Sequence, residues 1–236
     1  MKSKERKIFM QKNIIKYFLI VNLFIFILAV FFLFYLSNSR LDVPELSPEV
    51  QKAIESKISN PEPKEAGENL TPEMKYTINA SSITDWVYFD FSKGAVLNKV
   101  DRSSADWDIG FRRGKIMSNS GESNPAGKGG ISAIEGAEFE SVAEAPESGY
   151  MTDISKNPLE TENPAAERWY LYNYMTHELK PKKNIYIIRT ADGRYAKLQI
   201  INYYCEGVAG CYTIKYVYQG NGSRRFTPLE VILTKE

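Results

Sequence analysis

The chain has 236 residues, enough for one sizeable domain plus accessory segments. Its 30 Lys and Arg residues almost cancel 29 Asp and Glu, which excludes a general electrostatic attraction to nucleic acid. The balance hides a local asymmetry, because residues 1–16 carry Lys2, Lys4, Arg6, Lys7, Lys12 and Lys16 against the single acid Glu5.

Tyr17–Leu36, "YFLIVNLFIFILAVFFLFYL", follows with no charge and one amide, Asn22. At about 1.5 Å per residue such a helix crosses the ~30 Å hydrocarbon core of a bilayer. A buried helix of a soluble protein is rarely apolar on every face for so long. The pattern predicts a transmembrane anchor at 17–36, a cytoplasmic tail at 1–16 and export of the remainder to the periplasm or the cell surface. A cleaved signal peptide is the competing reading, with Ser37 and Ser39 as small residues for cleavage, but its apolar core is usually about 7–15 residues. No cysteine directly follows the apolar run, so that segment offers no lipid acceptor.

Residues 37–75 are rich in Pro, Glu, Ser and Lys and read as a flexible, solvated stalk. One short helix is predicted inside it. In "SPEVQKAIESKIS" Ser47 can cap, Pro48 suits the first helical position, and Val50, Ile54 and Ile58 repeat every fourth residue.

From Tyr76 onward, short aromatic and β-branched runs alternate with Gly, Asn, Pro and Ser. Trp86–Phe91, Trp107–Met117, Ile185–Thr190, Tyr195–Tyr204, Tyr212–Gln219 and Leu229–Thr234 are predicted strands. Alternation in the fourth run puts Ala196, Leu198, Ile200 and Asn202 on one face. Tyr195, Lys197, Gln199, Ile201 and Tyr203 fall on the other. Asp192-Gly193 marks a hairpin, and "CEGVAGC" a second turn. The expected fold is all-β, an antiparallel meander over residues 76–236.

Cys205 and Cys211 are the only cysteines and flank that second turn. In an oxidising compartment a disulfide is the expected state, ahead of free thiols. A metal site is disfavoured, since Cys-x5-Cys with one remote histidine lacks a fourth strong ligand. The glycines of Ser118–Gly136 follow no strand–helix nucleotide pattern and are expected to serve turns rather than phosphates. Residues 142–170 form an acidic, turn-rich stretch, expected to be an exposed long loop.

"DWDIGFRRGKIMSNSG" (Asp106–Gly121), "IYIIRTADGRYAKLQIINYY" (Ile185–Tyr204) and "GCYTIKYVYQ" (Gly210–Gln219) together resemble the HmuY family of bacterial haem-binding proteins. The resemblance covers 76–234 and implies a mostly antiparallel β fold, surface exposure, haem capture and delivery to an outer-membrane receptor. It also implies axial iron ligands, two histidines in the best-known members and methionine in others. This chain departs from the pattern in its apolar helix, where a lipoprotein anchor is usual, and in having one histidine, His177.

His177 with a methionine is a chemically sound axial pair for haem iron. Met151 is favoured as the partner over Met175 and Met117, because Met175 is only two residues away and, on an extended segment, points the same way. Trp169, Tyr170, Tyr172 and Tyr174 are candidates to stack on a macrocycle, and Lys180, Lys182, Lys183, Arg112 and Arg113 to meet its propionates. No Gly-x-Ser-x-Gly turn or His-Glu-x-x-His helix supports an enzyme. Asn-x-Ser/Thr triplets at Asn69, Asn79 and Asn221 matter only in a glycosylating pathway. The leading expectation is therefore a membrane-anchored, exported, non-enzymatic haem-binding protein whose partner is a haem receptor or haem carrier. An envelope-tethered β module that does not bind haem is the alternative.

Overall fold

The computed structural model describes residues 15–32, 45–157 and 160–227. The chain divides into two compact units, 1–44 and 45–236. In the first unit, helix α1 (Ile15–Phe32) is long and apolar enough to cross a membrane. The last residues expected in that span and the strand expected at Leu229–Thr234 lie outside the described residues.

The second unit is an antiparallel β sandwich. One sheet contains β1 (Met74–Asn79), β6 (Gly130–Glu135), β11 (Asn184–Arg189), β12 (Tyr195–Cys205) and β13 (Val208–Gln219), in the order β1-β13-β12-β11-β6. The other contains β2 (Val87–Asp90), β3 (Ala95–Val96), β4 (Ile109–Arg112) and β5 (Lys115–Ser118), in the order β3-β2-β4-β5. The run Trp107–Met117 is thus a hairpin of two strands, turned at Arg113-Gly114 between the paired residues Arg112 and Lys115.

Strand alternation builds the core between the sheets. Tyr212, Ile214, Tyr216 and Tyr218 of β13 and Ala196, Leu198 and Ile200 of β12 pack with Phe89, Phe91, Ile109 and Phe111. The opposite face of the five-stranded sheet is covered as well, where Ile185, Ile187 and Val217 meet Phe139, Val142, Ala145 and Phe226. A sheet buried on both faces explains why β11 reads as a continuous apolar run instead of alternating.

The predicted face assignment fails at two residues of β12. Ile200 pairs with Ile214, but Asn202 pairs with Thr213, so one extra residue is accommodated at a bulge. Tyr203 therefore rotates into the core, where it is 2% exposed, and Asn202 turns away from it. Beyond the bulge the hairpin turns at Glu206-Gly207, both at positive φ. Gly210 is not a turn residue: at φ +103 its backbone passes so close to the Ala80-Ser81 segment after β1 that a Cβ would lie 2.6 Å from Ser81 Cα. Cys205 and Cys211 form a disulfide across this irregular end, with Cα atoms 5.5 Å apart.

The described part of the expected stalk, residues 45–75, belongs to the second compact unit. Helix α2 (Pro48–Glu55) starts at Ser47, whose hydroxyl accepts the Val50 N–H, and it buries Ile54. Asn60 then acts as a substitute strand. Its side-chain amide donates to Thr77 O at 2.8 Å and accepts from Thr77 N at 2.7 Å, capping the edge of β1.

The acidic stretch contains structure too. A 3-10 turn at Phe139–Ser141, the hairpin of β7 (Ile154–Asn157) and β8 (Glu160–Glu162), and the bridge of Met151 to Ile131 all fall within or just before it. Lys197 of β12 is buried beneath this segment and donates to Phe139 O and Val142 O at 2.8 and 2.9 Å.

Candidate functional site

His177 sits in the loop of a small hairpin formed by β9 (Tyr170–Tyr172) and β10 (Leu179–Pro181). Asn173 organises the loop. Its side-chain oxygen accepts the N–H groups of Met175 and Thr176, and its backbone carbonyl accepts that of His177 at 2.8 Å. Returning from this turn in so few residues puts His177 at φ +58, a left-handed conformation that histidine adopts more readily than most side chains.

The consequence is a contact between the hydroxyl of Tyr172 and Nδ1 of His177. In the tautomer protonated at Nδ1, the ring donates to Tyr172 Oη and keeps the Nε2 lone pair for a ligand. The ring of Tyr172 also meets Tyr174 edge-on, with centroids 4.9 Å apart. Tyr174 and Met175 are 82% and 90% exposed, and Leu171 is exposed beside them. The hairpin thus presents an imidazole, a thioether and aromatic surface to solvent, with the exposed Lys180 on β10 opposite Leu171.

The base of the hairpin is rigidly held. Trp169 is fully buried, its Nε1–H donates to Gly114 O at 3.0 Å, and its ring packs on Tyr170, Tyr203 and Tyr212. Leu179 N–H donates to Tyr204 Oη at 2.7 Å, and Lys182 N–H to Trp169 O. Trp169 therefore has no free face to stack on a ligand. It is the anchor from which Tyr172, Tyr174 and His177 project.

The methionines separate by environment. Met117 is fully buried, with its sulfur 3.4 Å from Ser123 Oγ, which removes it from consideration as a ligand. Met151 is held by its backbone to Ile131 and by Asn163 donating to its carbonyl at 2.8 Å, while its side chain is half exposed. Met175 shares the loop of His177. No hydrogen bond or ring contact among the described residues joins Met151 to that loop.

The arginines considered for propionates are engaged elsewhere. Arg113 donates from its guanidinium to Ser81 O and Ala209 O and accepts at its own carbonyl from Tyr212. Arg112 lies over the ring of Trp86 at 4.7 Å. Lys180 and Lys183 remain exposed.

A polar network that sequence inspection did not single out supports the neighbouring loops. Asp153, 2% exposed, accepts from the backbone and hydroxyl of Ser118, from Ser123, and from Asn163 at 2.8 Å. Burial nevertheless holds its carboxyl above the usual carboxylate range. Gly121 and Gly127 serve close backbone approach here. Added Cβ atoms would fall 2.3 Å from Asp153 O and 2.2 Å from Asn119 O, which accounts for these glycines without any phosphate. Among the described residues, no cluster of three His, Cys, Asp or Glu side chains is arranged to hold a bare metal ion.

A family model described as HmuY protein matches residues 82–216. The crystal structure of an apo HmuY analogue from Tannerella forsythia superposes with a TM-score of 0.53 at 20% identity, covering 67% of this chain and 99% of that one. One from Bacteroides vulgatus, described as HmuY-like and heme-binding, superposes with a TM-score of 0.51 at 21% identity, covering 66% and 98%. A Bacteroides fragilis protein assigned as a lipoprotein gives 0.50 at 16% identity, covering 62% and 91%. A comparison with curated proteins returns no match. At these identities the structural likeness establishes the fold alone.

Proposed function

This chain belongs to the HmuY family, and from that premise we propose that it is an exported, non-enzymatic haem- or porphyrin-binding protein held to a membrane by α1. The observation that carries the reading is the presentation of His177. The single imidazole of the chain meets Tyr172 Oη at Nδ1 on an aromatic hairpin, and the tautomer protonated at Nδ1 leaves the Nε2 lone pair for a ligand. The donor chemistry fits haem, since imidazole nitrogen and thioether sulfur are both established axial ligands.

In this proposal His177 and either Met151 or Met175 would hold the iron, and Tyr172 and Tyr174 would pack against the porphyrin. The exposed Lys180 would meet a propionate. Bound haem would supply an iron centre whose Soret band reports its ligands. The basic segment 1–16 favours a cytoplasmic N-terminus and an exported domain. The partner is a haem receptor or haem-carrying protein.

The second reading is a tethered interaction module of the same fold without haem. It is favoured by the single histidine and by the exposed apolar tip of Leu171, Tyr174 and Met175. Haemin titration of the full chain in lipid nanodiscs, with empty nanodiscs as the blank, separates the two. Haem binding requires a saturable Soret shift that His177→Ala abolishes or alters. A titration indistinguishable from empty nanodiscs would sustain the second reading.

A further inference from the structure

A cleft of about 330 Å³ opens at one end of the sandwich, and none of its lining residues belongs to the His177 hairpin. It arises from the path of residues 62–74. Lys64 and Ala66 donate their N–H groups to Lys93 O and Ser92 O, beside the four-stranded sheet. Leu70 and Thr71 then pair with Gln219 and Tyr218 in the five-stranded sheet. The segment bridges the two sheets without filling the space between them.

Ala66, Leu70, Met74, Phe91 and Tyr216 line it, together with Asn69, whose amide donates to Ala66 O, and Thr71, whose hydroxyl accepts the Tyr218 N–H. Tyr216 is 1% exposed, yet no described protein group hydrogen-bonds its hydroxyl. The hydroxyl is not itself among the fully enclosed unpartnered polar atoms, so it opens into the cleft. Gly94 keeps that hydroxyl uncovered, since its φ is +61 and a Cβ there would lie 3.0 Å from Tyr216 Oη. The rim carries Glu62 and Glu65 against Lys64, which disfavours an anionic ligand.

We propose that this cleft is a second binding site, for an uncharged single-ring molecule carrying one hydroxyl or carbonyl that pairs with Tyr216 Oη. The volume is at the small end of small-molecule sites, apolar walls take the ring, and one convergent polar group orients it. This site is independent of the haem reading and stands or falls without it.

The test uses the full chain in lipid nanodiscs with ¹³C-methyl methionine, p-cresol and toluene as probes, and Tyr216→Phe as the variant. p-Cresol should shift the Met74 methyl saturably while leaving those of Met151 and Met175 in place. Tyr216→Phe, with its fold checked by near-UV circular dichroism, should weaken p-cresol by about five- to tenfold and leave toluene unchanged. An unmoved Met74 methyl would overturn the proposal. So would a phenylalanine variant that binds p-cresol as tightly as before, or one that loses both probes alike.

Discussion

Asp108 accepts the backbone N–H of Ala191 at one carboxylate oxygen, at 3.1 Å, and that of Phe91 at the other, at 2.9 Å. Phe91 follows β2 of one sheet and Ala191 lies in the β11–β12 turn of the other, so one buried side chain ties the sheets together. Burial, reinforced by the neighbouring charge of Asp90, pushes its pKa up to about 7 against the opposing pull of the two amides.

That shift has a definite sign. A carboxyl whose folded-state pKa exceeds its ordinary 3.8 contributes stability that is full below about pH 4 and is lost as pH rises to about 7. Denaturation midpoints should therefore fall across pH 4–7. Asp108→Asn, which cannot ionise, should flatten that slope. An unaltered slope in the variant would remove Asp108 as its origin.

Lys197→Met should cost about 2 kcal/mol or more in urea denaturation. Lys197 donates to the carbonyls of Phe139 and Val142 with its ammonium 4.3 Å over the Phe139 ring. The methionine keeps the aliphatic stem but leaves both carbonyls buried without a donor. A variant as stable as the parent would mean that water reaches them.

Gly210→Ala and Gly207→Ala form a matched pair on one hairpin. Both glycines have positive φ, but only at Gly210 does a Cβ meet backbone, whereas nothing lies within 4 Å at Gly207. Gly207→Ala should cost about 1 kcal/mol from conformation alone. Gly210→Ala should cost about 2 kcal/mol or more because the Ala80-Ser81 backbone must move. Equal losses would show that the close approach to Ser81 is relaxed in solution.

Reducing the disulfide, or replacing both cysteines by serine, should lower stability by only about 2 kcal/mol, because the closed loop is short. Native gel mobility and the β signature in circular dichroism should persist. Unfolding on reduction would assign the bridge a larger role in holding the end of β12 against β13.

Tyr172→Phe tests the haem reading without touching the proposed ligand. Losing the hydroxyl at Nδ1 frees the ring of His177 to rotate, and haemin affinity should fall by about tenfold while the ligand set stays the same. An unchanged affinity would mean that the Tyr172 contact does not orient His177.

Much of this protein follows from its residues taken in order. Tyr17–Leu36 is apolar on every face, and the described part of it forms α1. Period-two runs of aromatic and β-branched side chains specify the strands, Asp192-Gly193 the hairpin, and two cysteines around a turn the disulfide. These are local properties, decided by propensity, spacing and polarity within a few residues.

Tertiary structure decided the rest, because each remaining feature depends on groups distant in sequence. Asn60 has the composition of a stalk residue until the open edge of β1 offers it Thr77. One additional residue in β12 sends Tyr203 into the core against simple alternation, since register is set by the partner strand. Trp169 has the chemistry of a stacking platform, but the aromatic core formed by Tyr203 and Tyr212 claims it. What remains in solvent is His177 beside Tyr172, an arrangement produced by the left-handed turn at the tip of a hairpin whose base is locked into that core.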